Sequence, residues 1–104
     1  MSKRTIDLLG RMIRDLDDNE IAGGVMHKIV GNAVAMHKGA DPVKVMLLAQ
    51  DIYKLGRVEL DDADFDIVEQ AVRGYDGITP FVKGQVLVAL KDSATKTETG
   101  KKGA

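Results

Sequence analysis

The chain has no cysteine, so disulfides, thiolate chemistry and cysteine-ligated zinc or iron–sulfur sites are excluded, and a reducing compartment is permitted. It also lacks any uninterrupted apolar run long enough to cross a bilayer. Met1-Ser2-Lys3-Arg4 leads straight into Thr5-Ile6-Asp7 without the apolar stretch of a secretion signal. Membrane insertion and export are therefore not expected, and the expected location is the cytoplasm. A large excess of one charge is absent as well. The net charge is −1, which argues against a generic polyanion binder.

Beneath that balance the charge is uneven. Residues 1–60 carry nine Lys/Arg against eight Asp/Glu, residues 61–92 three against seven, and residues 93–104 three against one. An acidic segment is followed by a basic tail. At 104 residues and 44% apolar composition the chain can build one core without metal or disulfide support.

Apolar spacing predicts helices. Ile6, Leu9, Met12, Ile13 and Leu16 recur at intervals of three and four, predicting a first helix from Thr5 to Asp17. Asp17-Asp18-Asn19 supplies turn chemistry, and Ile21, Val25, Ile29, Val30, Ala33 and Met36 continue the period to Gly39. This second helix holds Gly23, Gly24 and Gly31, each costing about 1 kcal/mol relative to Ala, so a bend or break near Gly23-Gly24 is expected. Gly24, Gly31 and Ala35 fall near one face, where another helix of this chain, or of a second copy, could approach closely.

Asp41-Pro42 predicts a cap and first turn, with Val45, Leu48, Ile52 and Leu55 inward and Gly56 as the left-handed stop. Arg57-Val58-Glu59 reads as a short connector. Asp61 is the expected N-cap of a fourth helix, Asp64 its capping-box partner, and Leu60 with Phe65 its hydrophobic staple. Thr79-Pro80 opens a fifth helix that is apolar nearly all round, its Val86-Leu87-Val88 stretch carrying some strand character. The expected fold is thus all-α: a compact bundle of about five helices over residues 1–92, with a disordered basic tail at 93–104 that has too little apolar surface to offset ordering entropy.

Candidate chemistry is sparse. His27 and His37, ten residues apart on one expected helix, would stand about 15 Å from each other and could not share a metal. Asp15 to Glu20 has oxygen donors at alternate positions, but a calcium loop would need glycine where Glu20 stands and a bidentate acid where Met26 stands. A helix-ending acidic turn is the expectation there. The glycines match no phosphate loop, and no nucleophile motif surrounds the hydroxyl residues. No catalytic residue, cofactor or metal site is expected.

The positive candidate is the outer face of the fourth helix, where Asp62, Asp66 and Glu69 line up ahead of Arg73. These acids would form a docking surface for a basic patch on another protein, raising specificity and association rate. Self-association through the fifth or second helix is a subsidiary expectation. A helix-turn-helix built from the fourth and fifth helices is the alternative, but Lys83, Gln85 and Lys91 amid apolar neighbours lack the clustered positive charge that phosphate contact needs. A third alternative is a structural component of a larger particle.

Val58-Glu59-Leu60-Asp61-Asp62-Ala63-Asp64-Phe65-Asp66-Ile67-Val68 and Pro80-Phe81-Val82-Lys83-Gly84-Gln85-Val86-Leu87-Val88-Ala89-Leu90 resemble the C-terminal part of short helical proteins encoded by tailed bacteriophages. The resemblance covers about a third of the chain and brings no catalytic residues. It implies a protein that binds host or virion proteins, as an adaptor or inhibitor.

Overall fold

Gly10 adopts a φ of +77°, a left-handed conformation that no interior helical residue takes, and it divides the expected first helix into two strands. In the computed structural model, which describes residues 3–93 and 95–96, these are β1 (Lys3–Asp7) and β2 (Met12–Arg14). Of the five residues expected to face inward, Ile6 and Ile13 are buried whereas Leu9 and Leu16 are exposed. The inward set follows the two-residue period of a strand, Ile6 then Leu8. Asp7 holds the turn that follows: its carboxylate accepts from the Leu9 amide, and its carbonyl accepts from Arg11 Nε.

The second expected helix is a strand for its first third. β3 (Glu20–Val25) pairs antiparallel with β2, and only then does α1 (Met26–Ala35) begin. Gly23, at φ +80°, lies within β3, whose register against β2 shifts between Met12 and Arg14. The acidic run at 15–19 is a hairpin tip rather than a helix end. There the Asp15 carboxylate accepts from the amides of Asp17 and Asn19, while Asp18 turns left-handed at φ +67°. No side chain caps α1; instead the Met26 amide donates to the Arg11 carbonyl at 3.1 Å, so tertiary structure starts this helix.

Further along, local signals and structure agree. α2 (Pro42–Leu55) is capped by Asp41, which accepts from the Lys44 amide, and ends at Gly56 with φ +70°. Arg57-Val58-Glu59, expected as a connector, belongs to β4 (Arg57–Asp61), which pairs antiparallel with β1 in a register that sets Ile6 opposite Val58. The alternation of polar Arg57, Glu59 and Asp61 with apolar Val58 and Leu60 is the strand signature. Asp61 both closes β4 and caps α3 (Asp62–Arg73), accepting from the Asp64 amide at 2.8 Å. Leu60 and Phe65 are both buried. Asp64 does not close a capping box; its carboxylate takes Lys44 Nζ at 3.0 Å, tying the start of α2 to the start of α3.

α4 (Pro80–Ser93) follows, with Val86, Ala89 and Leu90 buried. β5 (Thr95–Lys96) then pairs with β1, giving a sheet of order β4-β1-β5. Of the expected tail at 93–104, Ser93 ends α4 and Thr95–Lys96 is strand, while the other residues lie outside the described residues. Among the described residues, four helices and two small antiparallel sheets make an α+β fold, which corrects the expected five-helix, all-α bundle. The all-α reading fails because helical spacing in residues 5–25 coincides with strands: β1, whose partner β4 lies some fifty residues away, and the local β2–β3 pair.

Candidate functional site

The acidic residues of α3 occupy its outer side, and each already has a partner within the chain. Asp62 lies 3.2 Å from Arg4 Nε, Asp66 accepts from Gln70 Nε2 at 2.7 Å, and Glu69 pairs with Arg73 at 3.2 Å. Arg4 is further fixed by stacking its guanidinium 4.5 Å above the Phe65 ring. Such pairs contribute only tenths of a kcal/mol each, but the Arg4 and Arg73 cations lower the net field that a basic partner would meet, whereas the neutral Gln70 leaves the charge of Asp66 in place.

Two of the three polar side chains that a DNA-reading fifth helix would have offered, Lys83 and Gln85, are engaged within the chain, and the third, Lys91, is exposed. Lys83 Nζ donates to the Arg73 carbonyl at the end of α3. The Gln85 amide behaves as a short piece of strand: its Nε2 donates to the Arg14 carbonyl at 2.8 Å, and its Oε1 accepts from the Arg14 amide at 2.9 Å. The Lys-Gly-Gln stretch thus holds α4 against α3 and against the β2 edge. Beside it, Met12, Phe81 and Val88 line an open cleft of about 740 Å³, with Arg11, Arg14 and Asp92 also in its wall.

His27 and His37 are placed apart. His27, in α1, brings Nδ1 within 3.0 Å of the Tyr53 carbonyl; since that oxygen can only accept, Nδ1 carries the proton. This hydrogen bond satisfies an otherwise free carbonyl in the last turn of α2. His37 lies beyond the end of α1, its ring against Gly39. Among the described residues, no three His, Asp or Glu side chains gather where they could hold a metal ion. Lys44 titrates above the ordinary lysine value because the Asp64 carboxylate accepts a hydrogen bond from it and attracts its charge.

The feature that helical spacing did not isolate is the outer side of α2. Val45, Leu48, Ala49 and Ile52 face the core, yet Val43 and Leu47 are 60% and 52% exposed on the opposite side, and Met46 and Tyr53 are 49% and 41% exposed along the edge beside α1. At 100° per residue these four cluster with Gln50 and Lys54 into a stripe of about two heptads. Leu55, expected inward, is exposed too. The available signal was the number of apolar residues in 42–55, more than one face can bury.

A trough runs beside this stripe where α1 and α2 meet. The helices touch at Gly31, where an added Cβ would stand 2.7 Å from Tyr53 Cβ, so the close approach expected of Gly31 is made to a helix of the same chain. Two open cavities, of about 290 and 560 Å³, share Ala35, Ala49 and Gln50 in their walls and form one continuous trough. No protein-family model, curated protein or solved structure matches the chain.

Proposed function

We propose that this protein is a non-enzymatic protein-interaction module that engages its partner through the outer face of α2. The observation that supports this is a helix apolar beyond its buried face: one side completes the core, while Val43 and Leu47 opposite it and Met46 and Tyr53 along the edge beside α1 are open to solvent. Contiguous apolar surface on a small domain marks an interaction site more often than scattered single residues do. Fully burying side chains of this size contributes roughly 1.5–3 kcal/mol each. These four are about half exposed, so covering them would contribute roughly 3–6 kcal/mol, enough for a partner held also by polar contacts.

Asp62, Asp66 and Glu69 serve as a secondary, steering surface toward a basic patch, with their local partners moderating the field. The resemblance of residues 58–90 to tailed-phage proteins supports a role as an adaptor or inhibitor acting on a host or virion protein. The absence of cysteine fits a cytoplasmic setting, that of the host if the chain is phage-encoded; no helix among the described residues is long and apolar enough to cross a membrane.

The test compares proteins captured from the native cell extract by the wild type, by the double variant Val43→Asp/Leu47→Asp, and by the charge reversal of Asp62, Asp66 and Glu69 to Lys. A specific partner is lost with the α2 variant, although its helix content is unchanged by circular dichroism, and is captured more slowly by the charge reversal. Undiminished capture by the α2 variant would remove the reading.

A further inference from the structure

The α2 face and its trough carry a charge pattern that names the partner's chemistry. Lys28 and Lys38 lie on one side, Lys54 is in the stripe itself, and all three are exposed. None of them forms an ion pair within the described residues, whereas Lys44 is held by Asp64. Lys28 is positioned over the Tyr53 ring, 5.6 Å from its centroid, at one end of the trough; Lys38 lines the other end together with His37. Between residues 26 and 56 the acids are Asp41, which caps α2, and Asp51. An apolar track is thus edged by three cations, against Asp51 from its own two helices and Asp76, which lines a neighbouring cavity with His37 and Lys38.

We infer that this trough receives an amphipathic helix of another protein that carries Asp or Glu on its flanks. The inference rests on the docking function proposed above and specifies its partner. From Val43 to Lys54 the stripe extends about 16 Å at 1.5 Å per residue, the length of about three helical turns. An occupant with apolar side chains at i, i+3, i+4 and i+7 would place them between Met46 and Tyr53 and over Ala35, as helix-in-groove partners do. Its flanking carboxylates would meet Lys28, Lys38 and Lys54. A second copy of this chain fits poorly, because two-fold pairing through this face sets the same three lysines near one another. The acidic α3 of a second copy fits no better, since its apolar side, Phe65, Val68 and Val72, is buried in its own core.

The experiment is a selection from a displayed library of helical peptides three to four turns long, with core and flank positions randomised, against the intact protein. Enriched peptides carry apolar residues at three- and four-residue spacing with acidic flanks. Their affinity falls about tenfold or more in Ala35→Trp, which fills the trough from an exposed position. In Lys28→Glu/Lys38→Glu/Lys54→Glu the selection turns to basic flanks. Neutral or basic flanks on the wild type, or binding indifferent to Ala35→Trp, overturns the inference. So does a dimer that Ala35→Trp dissociates on sedimentation. If the acidic flanks fail while the Val43→Asp/Leu47→Asp variant still loses its natural partner, the partner chemistry is wrong and the docking function stands; if both fail, both fall.

Discussion

Replacing Gln85 tests how the two halves of the chain are joined. Its side-chain amide makes two hydrogen bonds to the Arg14 backbone, 2.9 Å from the amide and 2.8 Å from the carbonyl. Two neutral hydrogen bonds contribute about 1–3 kcal/mol together, and because the site is exposed, water recovers part of the loss on Gln85→Ala. A destabilisation of about 1–2 kcal/mol is expected. In a domain of this size that lowers Tm by roughly 4–15 °C. Gln85→Glu separates hydrogen bonding from packing. At neutral pH one carboxylate oxygen can still accept from the Arg14 amide, but the other faces the Arg14 carbonyl with no proton to donate. Once protonated, it donates. The introduced carboxyl group therefore has a folded-state pKa above its unfolded value of about 4.3. Its stabilising contribution is present below that value and is lost as pH rises through the folded pKa. Urea denaturation of wild type and variant at pH 4 and pH 7 gives the comparison, the wild type correcting for other carboxylates. The difference between them narrows on acidification. A difference equal at both pH values, or Gln85→Ala unfolding together with wild type, would refute the pinning role.

Three further outcomes follow from single contacts. Asp61→Ala removes the acceptor for the Asp64 amide and costs about 1 kcal/mol, read by thermal unfolding; Asp61→Asn recovers most of it. Gly31→Val forces a side chain into Tyr53 and destabilises by about 1–3 kcal/mol, whereas Gly84→Ala, with open space around it, leaves stability unchanged or slightly raised. Lys44 is held above the ordinary lysine value by Asp64, so its contribution is complete at neutral pH and is lost only as alkali passes its raised folded value. An NMR titration shows the Lys44 ammonium deprotonating at lower pH in Asp64→Asn than in wild type.

The three helices within residues 42–93 were legible in sequence because their signals are short-ranged, whereas β4 between them read as a connector. Asp41-Pro42, Gly56, Asp61 and Thr79-Pro80 each act on amides or turns within four residues, and the helices start and stop where those residues say. The N-terminal quarter was not legible: Ile6 in β1 is opposite Val58 in β4, some fifty residues on, and no local pattern names a partner at that distance. Gly10, left-handed in the structure, was the local sign against helix that apolar spacing outweighed; Asp17-Asp18-Asn19 read as a turn and Gly23-Gly24 as a bend or break, but neither said that strands flank them. The acidic face of α3 was visible as a pattern, but its pairing with Arg4 depends on β1 and so could not be. The exposed apolar face of α2 was hidden because Val45, Leu48 and Ile52 already account for one inward stripe.

The measurement closest to the central claim is a peroxide footprint of the methionines. Met46 and Met36 are half or more exposed and Met26 is 4% exposed, so in the free protein Met46 and Met36 oxidise rapidly while Met26 is spared. With its captured partner bound, Met46 becomes protected. Oxidation of Met46 at the same rate with and without the partner would contradict a docking surface on α2.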